Sequence, residues 1–194
     1  MDVTEHTTAR GPAARRGLSL VEAAVVLAVL AITAALAIPA LGAMASRSRL
    51  AAEVNALAGA LALARSQAAR HNRVVVICRS EDAATCAETG DGWPAWVVFA
   101  DTDGDRRLGP GETPLHAHRV GPHVHLGYRG FPRSRYLAFQ PTGFSHRNGT
   151  FTLCTSGPDP ERRAVIVNWA GRVRLARTGP GGRPLRCPPP PPAG

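Results

Sequence analysis

"ARRGLSLVEAAVVLAVLAITAALAIPAL", running from Ala14 to Leu41, is the stretch whose reading decides the fold. From Leu18 to Ala45 the only formal charge is Glu22. At 1.5 Å per residue this stretch makes a helix about 42 Å long, more than the ~30 Å hydrocarbon core of a bilayer requires. Arg10, Arg15 and Arg16 precede it. The positive-inside rule therefore leaves the N-terminus cytoplasmic and carries the rest of the chain across the membrane. A carboxylate at membrane depth costs about 2.5–3.5 kcal/mol even on lenient scales, so Glu22 calls for a partner. A secretory signal peptide cleaved in "AIPALGAMA" is the rival reading. The length of the apolar run and the acid inside it oppose that reading.

The apolar pattern continues past the expected span. Leu50, Val54, Leu57, Leu61, Ala64 and Ala68 recur at steps of three or four, with Arg47, Arg49, Glu53, Arg65 and Arg70 filling much of the remainder. One long helix is expected, lipid-buried in its first half and amphipathic in its second, ending at His71–Asn72. Beyond it, "RVVVICRS" (73–80), "WVVFAD" (96–101), "HVHLGYR" (123–129), "RYLAFQ" (135–140), "GTFTLCT" (149–155), "RAVIVNW" (163–169) and "RVRLAR" (172–177) read as strands between Gly, Pro, Asn and Asp joints. The fold class is α+β, one helix packed on antiparallel strands. The boundaries are a leader over 1–17, a transmembrane helix over 18–45 and an amphipathic periplasmic helix over 46–71. A β-rich domain follows over 72–179, then a Gly/Pro-rich tail over 180–194.

All 23 basic residues are Arg. Residues 1–128 are neutral, whereas 129–194 carry 11 Arg against Asp159 and Glu161, the whole net charge of +9. That asymmetry points to a polyanion or to a solvated face. The four cysteines, Cys78, Cys86, Cys154 and Cys187, lack the CxxC spacing of zinc knuckles. Behind an export-type N-terminus they read as two disulfides. Of three connectivities the sequential one is favoured, and its second bridge would staple the tail to the domain.

"RRG|LSLVE", followed by an apolar helix with Pro39 placed 22 residues after Gly17, resembles the type IV prepilin N-terminus. The resemblance implies cleavage between Gly17 and Leu18 by a prepilin peptidase and N-methylation of Leu18, where these proteins usually have Phe. It also implies that Glu22 pairs with the terminal amine of a neighbouring subunit during filament assembly, which would supply the missing partner. The rest of the chain, through "VVVICRS…C…WVVFADTDGD…GE", "LAFQPTGFS…NGTFTLC" and "GRVR…C", is similar to the GspH/FimT pseudopilins. These are minor subunits of type II secretion pseudopili or of type IV pili. The implied location is the bacterial inner membrane, single-pass, with the C-terminal domain periplasmic and extractable into a filament. Other pilin subunits are the implied partners.

"NWAGRVR" gives the sharpest functional expectation. On a strand Arg172 and Arg174 share one face, about 7 Å apart, a spacing suited to successive phosphates. Gly171 permits a tight turn or a close approach. In the FimT branch a GRxR motif here is linked to DNA binding in natural transformation; carried over, it falls on Gly171, Arg172 and Arg174. Arg177, Arg183 and Arg186 would widen the patch. Arginines that deter edge-to-edge aggregation are the bland account. The sequence shows no basic patch interleaved with aromatics, so stacking on single strands is not expected.

"DTDGDRRLGPGE" puts Asp101, Asp103, Asp105 and Glu112 at EF-hand ligand positions, but Arg106 replaces the required Gly and no flanking helices are evident. A polar hairpin connection is the reading. "HAHRVGPHVH" sets His116 and His118, then His123 and His125, on two strands about a Gly121–Pro122 turn, an imidazole cluster only if the pairs meet. No catalytic constellation, cofactor or enzyme activity is expected; Ser145–His146 are merely adjacent. Two functions stay open. One is a minor pilin capturing extracellular DNA for uptake. The other is a structural subunit of a type II secretion pseudopilus, or of pilus assembly, that does not touch DNA.

Overall fold

The computed structural model describes residues 19–90, 92–130, 135–145, 147–157 and 159–189. Gly17 and Leu18, the expected processing site, lie outside them. The elements are α1 (Leu20–His71), β1 (Val74–Ser80), β2 (Ala95–Asp101), β3 (Pro114–Arg119), β4 (Val124–Gly130), β5 (Tyr136–Phe139), β6 (Gly149–Thr155), β7 (Arg162–Val167) and β8 (Val173–Ala176). Two compact units divide the chain, Met1–Gly42 and Ala43–Gly194.

In the first unit, α1 is exposed around its whole circumference from Leu20 to Ala35, including Leu20, Val25, Leu30 and the charged Glu22. Among the described residues no helix is long and apolar enough to cross a membrane, so they do not reproduce the expected span over 18–45. Residue 18 and the side chains at 36, 37, 39 and 40 are outside the description.

In the second unit, the expected stripe on α1 is the core. Leu50, Val54, Leu57, Leu61, Ala64 and Ala68 are all buried. They meet Val75, Ile77, Trp96, Val98 and Phe139 from one sheet and Phe151, Leu153, Val165 and Val167 from another. Each fully buried Leu contributes roughly 1.5–3 kcal/mol of apolar transfer. The helix ends where Asn72 turns left-handed at φ +49°, a conformation Asn tolerates.

Two four-stranded antiparallel sheets receive this stripe, ordered β3-β2-β1-β5 and β4-β6-β7-β8. The unbroken apolar runs "VVVIC" and "WVVFA" have a physical reason: β1 and β2, the two strands they form, are buried on both faces. The far face of this sheet packs Val76, Cys78, Val97, Phe99 and Ala138 beneath the following loops. Cys78 bonds to Cys86 there. Asp82 organises the loop between them, accepting the backbone N–H groups of Thr85 and Ala84 at 2.8 Å and the Ser80 hydroxyl at 3.0 Å. Those donors hold its carboxyl well below the usual carboxylate range.

The second sheet alternates, with Phe151 and Leu153 inward and Thr150 and Thr152 outward. Cys154 points outward and bonds to Cys187, laying the tail on the outer face, where a Cβ added at Gly127 would stand 3.0 Å from Pro188. The expected "HAHRVGPHVH" hairpin does not form: β3 belongs to the first sheet and β4 to the second, so the chain crosses between sheets at Gly121–Pro122. His118 instead meets Glu53 of α1 at 2.9 Å and stacks on Trp96, while His125 meets the Ser156 hydroxyl at 3.0 Å. The two pairs therefore make no shared metal centre among the described residues.

Removing the second bridge with Cys154→Ser/Cys187→Ser opens a loop with a sequence separation of 33. The expected loss is about 3–4 kcal/mol in urea unfolding of the full chain, with the tail becoming sensitive to protease.

Candidate functional site

The "NWAGR" turn feeding β8 is built by its own side chains. Asn168 accepts the Gly171 N–H on its carbonyl at 2.8 Å and the Arg172 N–H on Oδ1 at 2.9 Å. Gly171 takes φ +72°, and a Cβ there would stand 2.1 Å from the Gly143 carbonyl oxygen. The close approach and the positive φ both require glycine.

β8 is an edge strand, pairing only with β7, with Arg174 opposite Ile166 and Val173 opposite Val167. Val173 packs against the core, so the strand's alternation sends Arg172 and Arg174 to the outer face. Both are exposed, and neither has an ion-pair partner among the described residues. Glu161 pairs instead with Arg47 at 2.8 Å and with Arg163 at 3.3 Å.

The other expected members separate. Arg177 lines a groove of about 420 Å³ together with Arg47, Arg163, Leu50, Val54 and Leu175, on the side that faces α1. Arg183 and Arg186 are exposed on the tail. The register places Cys154 opposite Arg162, four residues along the sheet from the Thr150–Ile166–Arg174 level. The tail bridge thus sits about 13 Å along the strand direction from the level of Arg174 and two strands away, toward the far end of the same outer face. The patch is a spread track rather than one cluster.

The turn also assembles something unexpected. Trp169 and Phe144 stack with ring centroids 5.2 Å apart and planes at 21°, and both are exposed. Nothing local signals this pair, because its members come from separate loops. The interleaving of aromatic and basic groups missing from the sequence is created by the fold.

The Asp-rich loop is turned to other uses. Asp101, Asp103 and Asp105 bring carboxylate oxygens within 4.8 Å of one another, without Glu112. Asp101 is covered by the Arg106 guanidinium and accepts the Gly104 N–H at 2.8 Å. Glu112 accepts from Thr102 and Gly109. These contacts serve the β2–β3 connection itself.

A family model described as "Type II transport protein GspH" matches residues 53–171, more than half of the chain. Comparison with curated protein sequences finds no match. Among solved structures, the type IV minor pilin FimU of Pseudomonas aeruginosa PAO1 is 22% identical. That match covers 66% of this chain and 90% of its own, at a TM-score of 0.46. The minor pseudopilin EpsH from the Type 2 Secretion System of Vibrio cholerae is 16% identical, covering 66% and 97%, at a TM-score of 0.45.

Gly171→Ala must displace the Gly143 backbone as well as accept a strained φ. The expected cost is about 2 kcal/mol or more, read as a lower urea midpoint with unchanged slope. An unshifted midpoint would contradict this packing.

Proposed function

The chain belongs to the GspH family of type II transport proteins, and from that premise we propose that it is a minor pilin-type subunit that binds extracellular DNA for uptake in natural transformation. In this reading a prepilin peptidase cleaves between Gly17 and Leu18, and Leu18 is N-methylated. Residues 18–45 anchor the subunit in the bacterial inner membrane, with the C-terminal domain periplasmic. Glu22 neutralises the terminal amine of a neighbouring subunit as the filament assembles, so two charges costly in lipid offset each other.

One observation supports DNA as ligand above all: Arg172 and Arg174 stand side by side on an exposed edge strand without a carboxylate partner among the described residues. Guanidiniums in that arrangement make charge-assisted contacts to phosphate, which fix position and carry no sequence information. Arg183 and Arg186 extend the field along the same face, and Arg177 adds to it from the groove. Assembly in type II secretion without DNA is the second reading, favoured by the description of the matching family itself.

The two readings separate on one titration. Full-length protein in detergent is bound to random-sequence duplex DNA over a series of salt concentrations, with Arg172→Ala/Arg174→Ala alongside. Loss of two phosphate contacts lowers affinity on every sequence and flattens the salt slope by ~2. If the wild type has no affinity near physiological salt, the assembly reading replaces the DNA reading. Independently, Glu22→Ala is expected to leave the subunit in the membrane fraction and absent from sheared filaments.

A further inference from the structure

Beyond Met44, the exposed large apolar side chains among the described residues are Leu115, Phe144, Trp169 and Leu175. Two of the four are the stacked pair. Trp93, Trp96, Phe99, Phe139 and Phe151 are all buried, so a Trp 62% exposed is an exception within this domain. Together with Gln140, Pro141 and Thr142 the pair lines a cleft of about 510 Å³.

The shelf is held rigidly from beneath. The Ser145 N–H donates to the Trp169 carbonyl at 2.9 Å, and the Trp169 N–H donates to Asn148 Oδ1 at 2.8 Å. The Ser145 hydroxyl reaches the Asn168 carbonyl at 2.7 Å, and the Gln140 N–H closes the loop on the Phe144 carbonyl at 2.8 Å. Little ordering remains to oppose a ligand that stacks there.

Two cations lie on the chain and helix next to the two loops. Arg172 lies three residues beyond Trp169, at the mouth of β8. Arg65 reaches between the two loops, its Nε 3.3 Å from where a Cβ would lie on either Gly143 or Gly171. Neither arginine has a carboxylate partner among the described residues, and no acid lines the cleft. An apolar protein partner would want the rings and not the unpaired charges around them. A solvated basic surface would want the charges and not the rings. A nucleotide wants both, a flat base for the ring face and a phosphate for the guanidinium.

We propose that Trp169 and Phe144 form a stacking shelf for an unpaired nucleobase, with Arg172 and Arg65 taking the adjoining phosphates, so that the protein grips single-stranded DNA or an unpaired end. The proposal rests on the DNA reading above and deepens it. Bases inside a duplex are stacked on one another and cannot use the shelf, whereas Arg172 and Arg174 serve either form.

The test uses full-length protein in detergent, oligothymidylate, and a random-sequence duplex of the same length. Trp169→Ala and Phe144→Ala are each expected to weaken oligothymidylate binding about ten-fold while duplex binding stays within about two-fold and the salt slope is unchanged. Trp169→Phe, which keeps a ring face, restores most of the loss. Binding of oligothymidylate should also quench the exposed tryptophan in the wild type and not in Trp169→Ala. Near-UV dichroism from the buried Trp93 and Trp96 reports whether each variant keeps its fold.

Equal losses on both ligands, or no loss on oligothymidylate, would overturn the shelf while leaving phosphate binding standing. A wild type that binds duplex but not oligothymidylate does the same. A wild type that binds neither removes the shelf and the DNA reading together. If Trp169→Ala instead blocks entry into filaments with oligothymidylate binding intact, the pair is a subunit contact and the proposal is wrong.

Discussion

A single apolar stripe on α1, from Leu50 to Ala68, is what the globular unit depends on. Each sheet offers this stripe its inner face, and neither could bury that face without it. The helix is therefore the common wall of a core otherwise split between sheets that share no hydrogen-bonded strands. The placement of the arginines follows from this. Because Val173 turns inward to the core, Arg172 and Arg174 turn outward. Because Arg65 sits on an exposed position of the same helix, it reaches the Gly143 and Gly171 loops.

Much of this was legible because it is periodic. The three-and-four spacing of Leu50, Val54, Leu57 and Leu61 specifies one helix face, and the strand pairs follow β-branched runs bounded by turn residues. The cysteines are bonded in sequence, Cys78 to Cys86 and Cys154 to Cys187. What could not be read is non-local. Nothing in "HAHRVGPHVH" says that its halves join different sheets, since Gly–Pro serves a crossover as well as a hairpin. The grouping of Phe144 with Trp169 depends on the 140–148 loop docking against the turn after β7. Arg177 looks in sequence like one more member of the Arg172–Arg174 series. Its odd spacing from them turns it toward the helix groove instead.

Charge counting misleads here in a definite way. A net of +9 over the C-terminal third says how much charge there is and not where it is free. Glu161 is bound by Arg47 and Arg163, both on the groove side, while Arg172 and Arg174 have no ion-pair partner among the described residues. The exposed pairs themselves add little stability, about 0–1 kcal/mol each. Their consequence is the direction of the field rather than the strength of the fold.

Arginines on an edge strand have a sufficient explanation in solubility. Charges along β8 discourage another chain from pairing with its open backbone, and guanidiniums in water repel one another only weakly. Such an account predicts charge and nothing else at that edge. An exposed Trp–Phe stack at the entrance to the same strand works against it, because a bare aromatic face invites the association that the arginines would discourage. Solubility explains Arg172 and Arg174 taken alone. It does not explain why three hydrogen bonds tie two loops together so that Trp169, three residues before Arg172, and Phe144 stay stacked and exposed. A surface that must hold both a phosphate and a base accounts for charges and rings at once.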